Sequence, residues 1–162
     1  MLLELKDQLI IPTEVELILY TDAKILYDCN GRAYVKGKIK QREQSPNTIV
    51  TNGHSYISNK MSGKAVPWMR NMSVGTTSGG KGAGTNALEA EISRIYMTDW
   101  ENTVLPITVY RAIFDAGVGT GNLVEAGIFD NQLAGNMLCW ADYGAINKTI
   151  NDILEIRWSH TY

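Results

Sequence analysis

Three kinds of residue in this chain have the types and spacing to do chemistry. The first is a glycine loop, with Gly75, Gly79, Gly80, Gly82 and Gly84 close together and Gly75-x4-Gly80-Lys81 matching most of a phosphate-binding pattern. Such a site needs Ser or Thr after the lysine to hold magnesium, and Gly82 stands there. A helix is expected beyond the loop, with Asn86 and Glu89 as a reciprocal cap and Leu88, Ile92 and Ile95 along one face. It starts too late to aim its dipole at a phosphate, and Glu89 and Glu91 in its first turn repel anions. The loop therefore reads as a surface connection, not a nucleotide site. The run Gly117-x-Gly119-x-Gly121 is weaker still, because no βαβ unit surrounds it.

The second kind is the titratable groups. His54 and His160 are the only histidines, and neither has a second ligand at metal spacing. Cys29 and Cys139 lack CxxC spacing, so a reduced chain is the default. There is neither a Gly-x-Ser-x-Gly elbow nor a His-Glu-x-x-His pair. Glu125 stands in an apolar strand, Val124-Glu125-Ala126-Gly127. It is either a tuned acid or, as preferred here, the partner of a buried Arg94 or Arg111, because buried charges persist when paired. The third kind is the aromatics. Trp68, Trp140 and Trp158 are expected to fill the core and not to bind sugar, whereas Trp100, in a polar Asp99-Trp100-Glu101-Asn102 turn, is expected as an interface anchor. The expectation is a protein that is not an enzyme, with no catalytic, cofactor-binding or metal residues.

The elements that position these residues follow from composition and periodicity. The 162 residues, 44% hydrophobic and 20% charged, suit one soluble globular domain. The net charge of -2 gives no reason to expect nucleic acid, although residues 1–84 hold 11 Lys/Arg against 7 Asp/Glu and residues 85–162 hold 4 against 10. No signal peptide and no membrane span are expected, hence a cytoplasmic origin.

Leu2, Leu3, Leu5, Leu9 and Ile10 form a greasy arm expected to pack on a neighbour. Val15, Leu17 and Leu19 alternate with Glu14 and Glu16, a half-buried strand. Asn30-Gly31 marks a hairpin between strands at 24–29 and 32–39, with Tyr34, Lys36, Lys38 and Lys40 on its solvated face. Residues 41–46 read as a loop and 52–63 as a short helix. Further strands are expected at 68–74, 103–114, 123–129, 137–143 and 150–162, separated by turns at 115–122, 130–135 and 144–147. In the last strand Leu154, Ile156, Trp158 and His160 share one face. The fold expected is mainly β, an antiparallel, jelly-roll-like sandwich with one or two short helices.

The order of motifs carries a resemblance. Asn47-Thr48-Ile49-Val50-Thr51-Asn52-Gly53 is followed by Met72-Ser73-Val74-Gly75-Thr76, the glycine loop and Ala87-Leu88-Glu89-Ala90-Glu91-Ile92-Ser93-Arg94. Then come Val124-Glu125-Ala126-Gly127-Ile128-Phe129, Met137-Leu138-Cys139-Trp140-Ala141, Ile146-Asn147-Lys148 and Leu154-Glu155-Ile156-Arg157-Trp158. Over residues 47–162 this resembles small tailed-bacteriophage virion proteins of the minor tail, fibre-associated or head-decoration type. The match has departures, with Val74-Gly75-Thr76-Thr77 in place of Gly-x-Gly-Thr and Gly135-Asn136-Met137 in place of a glycine pair.

The resemblance implies a non-enzymatic structural component of the virion, tail- or neck-associated, without cofactor, assembled in the host cytoplasm. Its partners would be other virion proteins and further copies of itself, with no nucleic acid and no membrane. It also implies an Arg94–Glu125 ion pair tying the glycine loop to the sheet, with residues 1–46 as the docking segment and 47–162 as the module. Capsid decoration is the neighbouring alternative. A carbohydrate-binding module, with exposed Trp and Tyr as platform, is the competing class.

Overall fold

The computed structural model describes residues 14–79, 82–104 and 107–161. The first strand, β1 (Glu14–Tyr27), and the second, β2 (Ala33–Pro46), form the hairpin expected from Asn30-Gly31. Asp28 closes the turn by accepting from the backbone N–H groups of Asn30 and Arg32, and Gly31 takes φ +76°. Residues 41–46 are not a loop but the far half of β2. Their polarity is that of an edge strand, which gains from charged and polar side chains because its outer hydrogen bonds are unpaired.

After the two-residue β3 (Thr48–Ile49), the helix α1 (Thr51–Met61) matches the expected helix at 52–63. It lies so close to the sheet that a Cβ on Gly53 would meet the Leu138 carbonyl at 2.0 Å. The remaining strands are β4 (Asn71–Gly75), β5 (Glu91–Tyr96), β6 (Asp99–Val104), β7 (Ile107–Phe114), β8 (Gly121–Phe129), β9 (Met137–Lys148) and β10 (Ile153–Thr161).

They make two five-stranded antiparallel sheets, ordered β2-β1-β10-β7-β6 and β3-β9-β8-β4-β5. Val15, Leu17 and Leu19 of β1, Phe114 of β7 and Leu154, Ile156 and Trp158 of β10 face Met72, Val74, Leu123, Ile128 and Cys139 of the second sheet across one buried core. The architecture is the expected β-sandwich.

Four local expectations are corrected. Residues 86–95 are not a helix. Residues 85–90 are irregular and 91–96 pair with β4 as a strand, because the β-branched and aromatic Ile92, Ile95 and Tyr96 fit a pleated surface. The presumed cap is used elsewhere, as Asn86 Oδ1 accepts from Asn52 Nδ2 at 2.6 Å. The polar turn at 99–102 is strand β6, paired with β7, so the expected strand from 103 is divided between the two. The expected turn at 144–147 lies within β9. The chain therefore has one helix among its described residues, not two.

The hairpin bends over its own sheet. The register slips between Thr21 and Lys24, Asp22 takes φ +48°, and Gly37 lies so close to Ala23 that a Cβ there would approach the alanine Cβ to 2.4 Å. Past the bend, Ala33, Ile25 and Val35 cover Ile113 and Ile153 on the sheet's outer face. The hairpin expected to dock a neighbour thus buries its inner face intramolecularly. Position 46/47 is where the chain crosses from one sheet to the other, and residues 14–46 supply two strands of the first sheet. The arm residues Leu2, Leu3, Leu5, Leu9 and Ile10 lie outside the described residues, as do Gly80 and Lys81.

Candidate binding cleft

On the outer face of the second sheet, buried and half-buried side chains fasten the neighbouring loops. Glu125 is fully buried there. Its Oε1 accepts from the Glu89 and Ala90 N–H groups at 2.8 and 3.1 Å, and its Oε2 from Trp140 Nε1 at 3.3 Å. A carboxylate thus satisfies two backbone donors that the absent helix would have used. Opposite it in register sits Gly75, where a Cβ would fall 2.4 Å from Glu125 Oε1. That glycine is required by the carboxylate, not by a phosphate.

The Arg94–Glu125 pair is a correction. In the strand register Arg94 lies opposite Ser73, which lies opposite Gly127, so it is displaced along the sheet from Glu125. Its guanidinium forks onto Glu91 at 2.6 and 2.8 Å, donates to the carbonyls of Asn131 and Ala134, and stacks on Phe129 at 3.5 Å from the ring centroid. Arg111, the other candidate, bridges to Asp99 at 3.1 Å and Glu155 at 3.7 Å and donates to the Ala33 carbonyl under the folded hairpin.

Arg94 holds the turn between β8 and β9, and Asp130 completes it. Asp130 accepts from Asn136 N at 2.7 Å and from Asn136 Nδ2 at 2.9 Å. Ala134 takes φ +57° and Gly135 φ +91°, and a Cβ at Gly135 would come within 2.3 Å of Asp130 Oδ1. A non-glycine residue held at positive φ is backbone strain that the surrounding bonds must impose.

This fixed turn forms one side of a cleft of about 290 Å³ lined by Pro67, Trp68, Arg70, Asn71, Tyr96 and residues 130–132. Trp68 is 66% exposed and Tyr96 57%, so the expectation of Trp68 as core is corrected, while Trp140 and Trp158 are buried as expected. Trp68 stands in the segment between α1 and β4 that joins neither sheet, and Lys60 Nζ lies 4.1 Å from its ring centroid. Asn71 is only 1% exposed. Its Nδ2 makes a long bond of 3.5 Å to the Phe129 carbonyl, and its Oδ1 is buried without a hydrogen-bond partner. Trp100 is exposed on β6, as anticipated.

The other chemistry-bearing residues do not assemble with the cleft. His160 is buried, with Nε2 3.2 Å from Cys139 Sγ. Burial lowers the imidazole pKa from 6.5 to about 4 and pushes the thiol well above its ordinary value. Both groups are thus kept neutral, the reverse of an activated thiolate–imidazolium pair. His54 is exposed on α1 and Cys29 at the hairpin turn.

At the hairpin bend Lys24, Lys36 and Lys38 line a shallow hollow with Asp22, which pairs with Lys38 at 3.6 Å. Lys40, expected on a solvated face, bonds the buried Asp152 at 2.8 Å. Burial alone would raise that carboxyl, but hydrogen bonds from Lys40 and Thr149 outweigh it and bring the pKa to about 2.

Among the described residues no group of three or more His, Cys, Asp or Glu could hold a metal ion, and no helix is long and apolar enough to cross a membrane. Sequence reasoning missed the cleft. Its traces were the adjacent Trp68, Arg70 and Asn71 and the polar run Asp130-Asn131-Gln132. No protein-family model matches the chain, and searches of curated proteins and of solved structures return no match.

Proposed function

We propose that this chain is a non-enzymatic structural component of a tailed-bacteriophage virion, tail- or neck-associated, acting through contacts with other virion proteins and with copies of itself. The motif order described above suggests the setting, and one structural observation carries the mode of action. The two long sides of the sandwich are unlike. On one side β2 is tied across to β9, with Gln41 Nε2 donating to the Ala145 carbonyl at 2.9 Å and Ser45 Oγ to the Asp142 carbonyl at 2.5 Å. On the other, the sheets end in the edge strands β5 and β6, joined through Met97 and Thr98. These edges expose Ile92, Tyr96 and Trp100.

Open edges with large apolar side chains are what a protein needs in order to add a neighbour, and a liability for one that works alone. The arm with Leu2, Leu3, Leu5, Leu9 and Ile10 adds a second contact surface in this proposal.

The test is the chain's copy number in purified particles, by quantitative mass spectrometry. A closed ring or trimer at the tail or neck gives about three to a dozen copies, and capsid decoration gives hundreds. Absence from particles refutes the virion reading.

A further inference from the structure

We infer that the cleft between Trp68 and Tyr96 is a saccharide-binding site, which shares Tyr96 with the β5 edge but does not need assembly to form. Asn71, one of its lining residues, carries a buried Oδ1 with no partner. A buried amide oxygen left unpaired costs free energy, and native proteins keep few such groups without a use. A turn of the Asn71 side chain toward the cleft would bring this oxygen, which has no accessible surface in the unliganded fold, to a hydroxyl or amide N–H of a ligand. Trp68 and Tyr96 present exposed aromatic surface beside it, which suits the flat C–H face of a pyranose ring, and the Lys60 ammonium already lies over the Trp68 ring where a cationic ligand would stack. Lys60 lies over the Trp68 ring, which helps to fix the orientation of that wall.

The rim offers directional bonds of both kinds. Arg70 supplies donors, and Asn131 and Gln132 supply donors and acceptors, which suits a ligand whose hydroxyls do both. The turn that carries these amides is held by Arg94 and by Asp130, as described above, so little ordering remains to be done on binding. Of the residues on the cleft side of that turn, Asp130 is committed to Asn136. A volume of about 290 Å³ accommodates a sugar unit and its nearest substituents, not a folded partner. The class is an uncharged, hydroxyl-rich saccharide read one residue at a time. An apolar peptide would leave the rim donors and acceptors of Arg70, Asn131 and Gln132 unpaired, and an anion drawn to Arg70 would also meet the Asp130 carboxylate.

The test uses the purified full chain. It is screened on an array of neutral and acidic oligosaccharides. Soluble N-acetylglucosamine and galactose oligomers, and the strongest array hit, are then titrated by tryptophan fluorescence and calorimetry. The expected result is saturable binding of a neutral saccharide with Kd between roughly 10 μM and 1 mM. Trp68→Ala and Tyr96→Ala, both at exposed positions, should each weaken it about tenfold with unchanged melting, whereas Trp100→Ala leaves it intact. Asn71→Leu, which fills the site without an acceptor, should weaken binding as well. Should Asn71→Leu fail to fold, the two aromatic variants still decide.

No binding at about 10 mM of any saccharide, binding of acidic sugars only, or affinity that survives both aromatic substitutions overturns the assignment. A chain present in particles yet blind to sugars loses this inference alone. A sugar-binding chain missing from particles loses only the virion reading.

Discussion

Replacing His160 by Gln should remove a defined part of the protein's acid sensitivity. The imidazole is buried beside Cys139, with Tyr110 edge-on at 6.0 Å between ring centroids, and its pKa falls from 6.5 to about 4. In the unfolded chain the same group takes up its proton near 6.5. Between pH 6.5 and 4 the unfolded state therefore binds the extra proton and the folded state does not, so stability declines as pH falls. The slope is about 1.4 kcal/mol per pH unit, and the full loss across that window is about 3 kcal/mol. Below pH 4 both states are protonated and this contribution is flat.

Asp152 acts in a separate window. With its pKa lowered from 3.8 to about 2, its contribution is fully present above 3.8 and is lost only as pH falls toward 2. Urea denaturation of wild type and His160→Gln at half-unit steps from pH 7.5 to 4, read by tryptophan fluorescence, isolates the term in the difference. His54 is common to both proteins and cancels. The two stability curves should converge by about 3 kcal/mol as the pH falls. Parallel curves would show that the imidazole is not held neutral by burial, and would refute the reasoning.

Two further substitutions test the packing argued above. Glu125→Ala orphans the Glu89 and Ala90 N–H groups and Trp140 Nε1 together, and should cost about 3–5 kcal/mol with faster amide exchange over residues 82–90. A loss under about 1 kcal/mol would mean that the loop is held by something else. Gly53→Ala should destabilise by at least about 2 kcal/mol in chemical denaturation, although alanine favours an isolated helix by about 1 kcal/mol, because the new Cβ would strike the Leu138 carbonyl. A stabilised variant would show that α1 does not lie against β9 as described.

The readable parts of the sequence are those decided by neighbours in the chain. Asn30-Gly31 announces its hairpin because a tight reversal needs a residue at positive φ, which Gly31 supplies, although the connection runs over residues 28–32 and not over two residues. Leu154, Ile156, Trp158 and His160 announce β10 because every second residue meets the core. The misread parts were decided at a distance. Asn86 and Glu89 have the spacing of a helix cap, but Glu125, far along the chain, captures the Glu89 and Ala90 N–H groups and the segment stays irregular. Asp99 and Glu101 look like turn residues until Arg32 and Arg111 approach them from the folded hairpin and from β7. Trp68 has the apolarity of a core residue, and only the two sheets closing without it leave it exposed. The cleft was least readable of all, since its walls come from residues 67–71, residue 96 and residues 130–132, with no local period linking them.

Arg94 shows why the cleft and the open edge belong to one construction. An edge strand is paired on one side only, and β5 has β4 as its sole partner in the second sheet. A strand so placed frays unless its side chains fasten it elsewhere. Arg94 does so through the carbonyls of Asn131 and Ala134 across the face and the Phe129 ring of β8 beneath it, while its fork onto Glu91 within β5 holds the guanidinium in place. The planar guanidinium makes this combination possible, since a lysine ammonium has neither the fork nor the stacking face. The same contacts fix Tyr96, two residues further along β5, relative to residues 131–134. The rigidity of the cleft wall is therefore a consequence of the way the free edge is anchored, and the two features share one side chain.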